Sequence, residues 1–271
     1  MLLQDLQAIL INKLAPRKYK LDSEIYGLQY NQSKINKNIK KVMLTIDLSI
    51  EALHFALQKK VNLIISHHGL VSKPIYTFNQ HLINKLILLN KYPISIFVLN
   101  SSFIAAEGGV SETLANILYL DIEKPLYVKT NNGKKIPIGR ICSPKSYLNS
   151  NKKITLENLI KRIKTHLNLS HLLYTGDLNR NIERICIIGG NKPDINYISK
   201  SLKEGCDCFI SGSITDFEAI YGKEMGISLI EASHYKIKIL ALRKLCNVLS
   251  LEFPFVEFLL FESNEALKIY L

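Results

Sequence analysis

The stretch Val61-Asn62-Leu63-Ile64-Ile65-Ser66-His67-His68-Gly69-Leu70 decides the fold. Its first six residues are a short, mostly β-branched and leucine run, apolar on both faces and bounded by a glycine. A strand buried on both sides reads this way, and such strands belong to parallel sheets covered by helices. Just ahead, residues 49–60 carry helical spacing, and 42–47 (VMLTID) form another short apolar run. Strand, helix, strand over that length is a βαβ unit. Downstream, 79–91 (NQHLINKLILLNK) predicts a helix, 94–99 (ISIFVL) a strand after Pro93, and 110–118 (VSETLANIL) a helix after Gly108-Gly109. Residues 2–14 form an amphipathic opening helix that ends near Pro16.

The second half repeats this order. Residues 184–188 predict a strand, 193–204 a helix, 206–210 a strand, 215–225 a helix, 227–231 a strand and 235–249 a closing helix. Placing Val42 on Ile185 and Asn62 on Asp207 gives offsets of 143 and 145 (185 − 42 and 207 − 62), a slippage of two residues. Between the halves, 127–181 is turn-rich and polar at Thr130-Asn131-Asn132-Gly133 and Tyr147-Leu148-Asn149-Ser150-Asn151, with a helix near 155–167. The expectation is an α/β protein of two related lobes with mainly parallel sheets flanked by helices. Its N-terminal lobe spans 1–126, a connector 127–181 and a C-terminal lobe 182–271, with a metal-type cleft between the lobes.

Composition narrows the function classes. At 271 residues with 47% hydrophobic and 21% charged residues, the chain is an ordinary globular protein. No window approaches the ~20 apolar residues of a membrane span. The start, Met1-Leu2-Leu3-Gln4-Asp5, lacks the basic region of a secretion signal. These features point to the cytoplasm. Five cysteines without pairing spacings read as reduced structural thiols, with Cys206 and Cys208 on one apolar run. The net charge of +12 admits nucleic acid as a partner. However, the lysines are scattered, apart from Lys37-Asn38-Ile39-Lys40-Lys41 and Lys161-Arg162-Ile163-Lys164, as a Lys-, Asn- and Ile-rich composition would scatter them.

In open parallel sheets ligands bind beyond the carboxyl ends of the strands. Three exits therefore matter: Ser66-His67-His68-Gly69, Asn100-Ser101-Ser102 running on to Glu107-Gly108-Gly109, and Ser233-His234-Tyr235. Histidines His67, His68 and His234 are the candidate metal ligands, since neutral imidazoles suit Zn, Fe, Ni or Mn. The remaining histidines, His54, His81, His166 and His171, lie in helical or connector sequence and read as structural.

At these residues the chain resembles the GTP cyclohydrolase I type 2 family, also called the NGG-interacting-factor-three-like proteins. The resemblance runs through Gly27-Leu28-Gln29, Asp47, VNLIISHHGL (61–70), AAEGGVSETLANIL (105–118), Ile138-Gly139-Arg140, Ile188-Gly189-Gly190, Phe209-Ile210-Ser211-Gly212 and Ser233-His234-Tyr235. It implies a two-lobed fold in a toroidal homohexamer, with paired divalent ions held by a His-His pair, an Asp, a late His and a Glu four residues beyond it. His67, His68 and His234 match that set. The Asp position is Ile104, the Glu position is Lys238, and the usual His-Thr-Asn-Leu segment is Asn100-Ser101-Ser102-Phe103.

Three neutral imidazoles do not offset two dications, and Lys238 shares a helical face with His234. The resemblance thus implies a dinuclear centre that is lost, or reduced to one weak ion on His67 and His234, with Glu107 and Glu231 as replacement carboxylates. Three readings follow. The first is a family protein with a weakened metal site and a small nucleotide-like ligand. The second is a metal-dependent hydrolase on a nucleotide-like substrate. The third is a ring-shaped nucleic-acid-binding or regulatory module.

Overall fold

The computed structural model describes residues 2–22, 24–31, 38–72, 75–145, 153–190 and 194–263. The turn read at 147–151, the basic Lys37 and the first residue of the helix expected at 193 lie outside them. The chain opens with α1 (Leu3–Ile9), which continues as a π-helical turn through Leu10–Leu14, and then β1 (Gly27–Asn31). A run of alternating elements follows: β2 (Lys41–Thr45), α2 (Ile50–Gln58), β3 (Leu63–Ser66), α3 (Gln80–Asn90), β4 (Ser95–Val98), α4 (Asn100–Ala105) and α5 (Val110–Ile117). The middle carries β5 (Leu120–Lys129), β6 (Lys135–Pro144), β7 (Ile154–Thr155), α6 (Leu156–Leu167), β8 (Tyr174–Thr175) and β9 (Asn181–Ile182). The end carries β10 (Ile185–Ile188), α7 (Ile195–Lys203), β11 (Cys208–Ser211), α8 (Asp216–Glu224), β12 (Ser228–Glu231), α9 (His234–Glu252) and β13 (Glu257–Leu260).

Helix starts follow from their caps. Ser49 accepts from the Ala52 N–H and Asn79 from the Leu82 N–H. Thr215 and Glu218 form a reciprocal capping box at α8.

The chain divides into two compact units, one running to Phe103 and resuming at Leu242, the other spanning Ile104–Ala241. Among the described residues the first holds a five-stranded sheet in the order β1-β4-β3-β2-β13. Strands β4, β3, β2 and β13 are parallel, and β1 runs antiparallel to β4. One face of this sheet presents Met43, Ile64, Ile96 and Val98 to Ala52, Leu53 and Ala56 of α2 and to Leu88 and Leu89 of α3. Removing these apolar groups from water, at about 25 cal/mol per Å² of apolar surface, is what holds the helices on the sheet. The second unit holds a six-stranded sheet in the order β5-β6-β10-β11-β12-β8. Its centre, β10-β11-β12, is parallel, while β5, β6 and β8 are antiparallel.

Both units therefore contain three consecutive parallel strands linked by helices, the order read from the sequence. The unit boundaries differ from those expected at 126/127 and 181/182. Strand β13 returns to pair beside β2, Glu257 with Lys41 through Leu260 with Leu44, a long-range pairing that no local pattern announces. Residues 127–181 are not a lightly structured connector either. They begin within β5 and include β6, ten residues each and paired along most of their length. No helix of the described residues is long and apolar enough to cross a membrane.

All five cysteines are free and buried. Burial raises the thiols of Cys142 and Cys206 to about 12 and holds Cys186 and Cys208 well above the ordinary range. Since the thiolate is the reactive form, native protein at pH 8 is expected to react only slowly with an aromatic disulfide reagent. All five thiols should titrate at once after denaturation. Rapid modification of more than one thiol in the folded protein would contradict this.

Candidate functional site

In the first unit, strand register places the site residues. Thr45 pairs with Ser66 and Ser66 with Val98, so the positions two further on, Asp47 and His68, leave on one face. They meet there: His68 Nδ1 lies 2.6 Å from Asp47 Oδ1. A carboxylate only accepts hydrogen bonds, so Nδ1 is the donor. Backbone bonds hold both residues in place. The His67 N–H donates to Thr45 O and the His68 N–H to Ile46 O, each at 2.9 Å. His67 itself is buried, with its ring edge-on to that of His68 at 4.8 Å and 6.5 Å from the Phe103 ring.

The turn after His68 is clamped by Gln29. The Leu70 N–H donates to Gln29 Oε1 at 2.7 Å, and Gln29 Nε2 donates to Val71 O at 3.1 Å. Gly69 is required for this close approach, because a Cβ there would stand 3.0 Å from both Gln29 Oε1 and Val71 O. Beyond β4 the exit is closed. Asn100 adopts a left-handed φ of 47° and its Nδ2 donates to Ile25 O. Ser101 accepts from the Leu21 N–H at Oγ, while its own N–H donates to Glu24 Oε2, both at 3.0 Å. Leu21, Glu24 and Ile25 thus bond to Asn100 and Ser101, and Ser101 and Ser102 are both fully buried.

In the second unit, Ile104 is a buried apolar residue without an electron pair to offer a metal. The segment that follows is locked by Arg140, whose guanidinium is buried. Its Nε donates to Glu112 Oε1 at 2.7 Å, Nη1 to Pro137 O and Gly139 O, and Nη2 to Ala105 O and Ala106 O. Glu112 also accepts from the Gly108 N–H at 2.7 Å. Ser111 ties α5 to the sheet, donating to Ile138 O and accepting from the Gly189 N–H.

The exits of β10, β11 and β12 converge on one side-chain pair. His234 follows Ser233, which has a left-handed φ of 55°. Gly212, just past β11, leaves room for it: a Cβ there would lie 3.0 Å from His234 Cα. One helical turn on, Lys238 is 1% exposed, and its Nζ lies 2.5 Å from His234 Nε2. As an ammonium, Lys238 would donate to Nε2 and engage its lone pair. The lysine stem runs over Gly190, just past β10, where a Cβ would fall 2.6 Å from Lys238 Cε.

Among the described residues, no three or more of His, Cys, Asp and Glu gather as metal ligands do. Glu107 is exposed, and Glu231 accepts from the Ile214 N–H at 2.8 Å, tying the end of β12 to the loop after β11. Sequence reasoning missed the Asp47–His68 pair, the Gln29 clamp and the Arg140 lock. The signal for the first was available, since Asp47 stands two residues beyond β2 as His68 stands two beyond β3.

Twin βαβ cores, histidines at the strand exits and a glycine-rich path across the second sheet define a two-unit α/β protein with a polar strand-end site. The chain belongs to the Duf34/NIF3 (NGG1p interacting factor 3) family, which it matches over residues 1–266. It is 28% identical to a GTP cyclohydrolase 1 type 2 homolog of Clostridium perfringens, over 83% of each chain. It is 24% identical to a protein of that name from Methanocaldococcus jannaschii, over 89% of this chain and 91% of the relative. Its fold is similar to that of a Bacillus cereus protein related to NIF3, with a TM-score of 0.83 at 14% identity, over 99% of this chain and 98% of that one. A Staphylococcus aureus protein gives a TM-score of 0.82 at 22% identity, over 100% and 99%.

Proposed function

We propose that this chain is a GTP cyclohydrolase 1 type 2-like protein whose dinuclear metal centre is lost or weakened, leaving a small nucleotide-like molecule as its ligand. One observation carries the reading: the buried Lys238 ammonium engages Nε2 of His234. The bond occupies the electron pair a metal would need. Charge opposes the metal as well. Two unit charges about 4 Å apart in a protein of effective dielectric ~20 repel by about 4 kcal/mol, and a dication doubles that. Lys238 supplies fixed positive charge where the resemblance implies metal ions.

Elemental analysis of protein purified without chelators tests this. Well under one transition-metal ion per chain is expected. Lys238→Glu combined with Ile104→Asp, checked for folding by circular dichroism, is expected to raise that ratio several-fold. Two tightly held ions per wild-type chain would overturn the reading. The homohexamer and the cytoplasmic location stay with this proposal, and light scattering at six times the 30.8 kDa chain mass is the expected result for the first.

A second reading, a metal-dependent hydrolase using His67 and His68, draws support from the pairing of His68 with Asp47. A full complement of metal together with nucleotide hydrolysis would favour it. Nucleic acid as the partner would show as binding that falls steeply with salt, as phosphate neutralisation requires.

A further inference from the structure

We infer that the strand-start edge of the first unit binds single-stranded nucleic acid, a row of lysines taking the phosphates and Phe255 stacking on a base. Strands β4, β3, β2 and β13 are parallel neighbours, so their first residues share one edge, about 4.8 Å apart from strand to strand. Lys91 precedes β4, Lys59 and Lys60 precede β3, and Lys40 and Lys41 lead into β2. Lys41 pairs with Glu257 at 2.8 Å, and Lys59 lies over the Phe55 ring at 5.8 Å. Lys40, Lys59, Lys60 and Lys91 are exposed, and among the described residues no carboxylate pairs with them. Lys59 and Lys91 also complement the carbonyl ends of α2 and α3, but Lys40 and Lys60 lie on no helix. Lys60 holds a left-handed φ of 56°, which glycine or asparagine adopts more easily. Where β10 and β11 start in the second unit, the cations are paired instead: Arg184 with Glu123, Lys124 with Glu204 and Arg180 with Asp207. The row is therefore a local feature, not the even scatter of a lysine-rich chain.

Asn62 stiffens the row. Its Oδ1 accepts from the Lys40 and Lys41 N–H groups at 3.0 and 3.1 Å, and its own N–H donates to Lys41 O. At the β13 end, the Glu257 N–H donates to Lys40 O at 2.9 Å. Just upstream, a turn closed by the Val256 N–H on Phe253 O presents Phe255, which is 97% exposed. A ring beside a line of cations is what holds a single strand: the ammonium groups track its backbone while a base stacks on the aromatic face. Phe255 and the neighbouring exposed Leu251 bring little apolar surface compared with the face of a helix that lies in a lipid interface. A second copy of the chain fits poorly, because a two-fold contact would set these lysines against themselves. The edge lies at the opposite end of the strands from His67 and His68, so its role is independent of the metal reading.

Fluorescence anisotropy of a short labelled oligothymidylate with the full-length protein tests this, with circular dichroism to check that each variant folds. Binding is expected to fall with salt along a log–log slope of about −2 to −3, as neutralising about three or four phosphates gives. Lys40→Ala, Lys60→Ala and Lys91→Ala together should flatten that slope by about 2. Phe255→Ala should leave the slope alone and weaken binding about 5- to 100-fold. Phe255→Trp should keep the affinity and give the chain, which has no tryptophan, a fluorophore that the bound oligonucleotide quenches. Lys161→Ala with Lys164→Ala, in the basic run on α6, should change neither affinity nor slope. Four results would each overturn the assignment: no binding at low salt, equal losses in the α6 and edge variants, unquenched fluorescence in Phe255→Trp, or Phe255-dependent binding to phosphatidylglycerol vesicles in place of the oligonucleotide.

Discussion

Replacing Arg140 with alanine is expected to destabilise the second unit by about 3–5 kcal/mol, the usual loss when one partner of a buried ion pair is removed. The guanidinium is 3% exposed and directs its five donors to Glu112 and four backbone carbonyls. Its removal strands the carbonyls of Ala105 and Ala106 and leaves Glu112 beside α5 without its cation. Arg140→Lys recovers only part of this, because one ammonium cannot span the fork-shaped set of acceptors. Thermal denaturation followed by circular dichroism should show a fall of about 10 °C, at roughly 2–4 °C per kcal/mol for a chain of this size. A loss under about 1 kcal/mol would mean that the lock is dispensable.

The second large effect concerns Gly190. Gly190→Val places a β-branched residue at φ +76° and drives its Cβ into the Lys238 stem, 2.6 Å from Cε. Left-handed backbone costs a residue with a Cβ about 1–2 kcal/mol, and overpacking adds about 1–3 kcal/mol. A total of about 2–5 kcal/mol is expected. The two contributions separate by a double-mutant cycle. In a Lys238→Ala background the clash disappears and only the backbone strain should remain, so the two substitutions are expected to be less than additive. Strict additivity would show that the lysine does not lie over residue 190 in solution.

Much of this architecture was legible in the residues. The apolar runs at 61–66, 94–99, 184–188 and 227–231 contain β3, β4, β10 and β12, because strands buried on both faces leave an unbroken hydrophobic mark. The β5–β6 hairpin was not legible. Strand β5 shows four successive exposed positions, Asp121 to Lys124, and carries Pro125, so an edge strand reads as a polar connector. Strand β13 was missed for a different reason, since its partner lies more than two hundred residues upstream.

The site divides in the same way. His67, His68 and His234 stand at strand ends, which unbroken apolar runs locate, and the four-residue spacing from His234 to Lys238 anticipated their contact. Asp47 bonding to His68, and Glu231 bonding to the loop after β11, depend on the register between strands and on loop shape. Neither is written in any single segment.

The left-handed residues Asn100 and Ser233 hold one more consequence. Ser95 and Ser228 open the third parallel strand of each unit, and one spacing of 133 (228 − 95 and 233 − 100) relates both those serines and the two kinked residues. The same left-handed bend thus occurs in both places, followed by different residues. After Asn100 comes a serine tucked under a neighbouring loop; after Ser233 comes a histidine stoppered by its own lysine. By that spacing Ser101 corresponds in sequence to His234, so a bend of one shape leads into a packed hydroxyl in one unit and into an imidazole in the other.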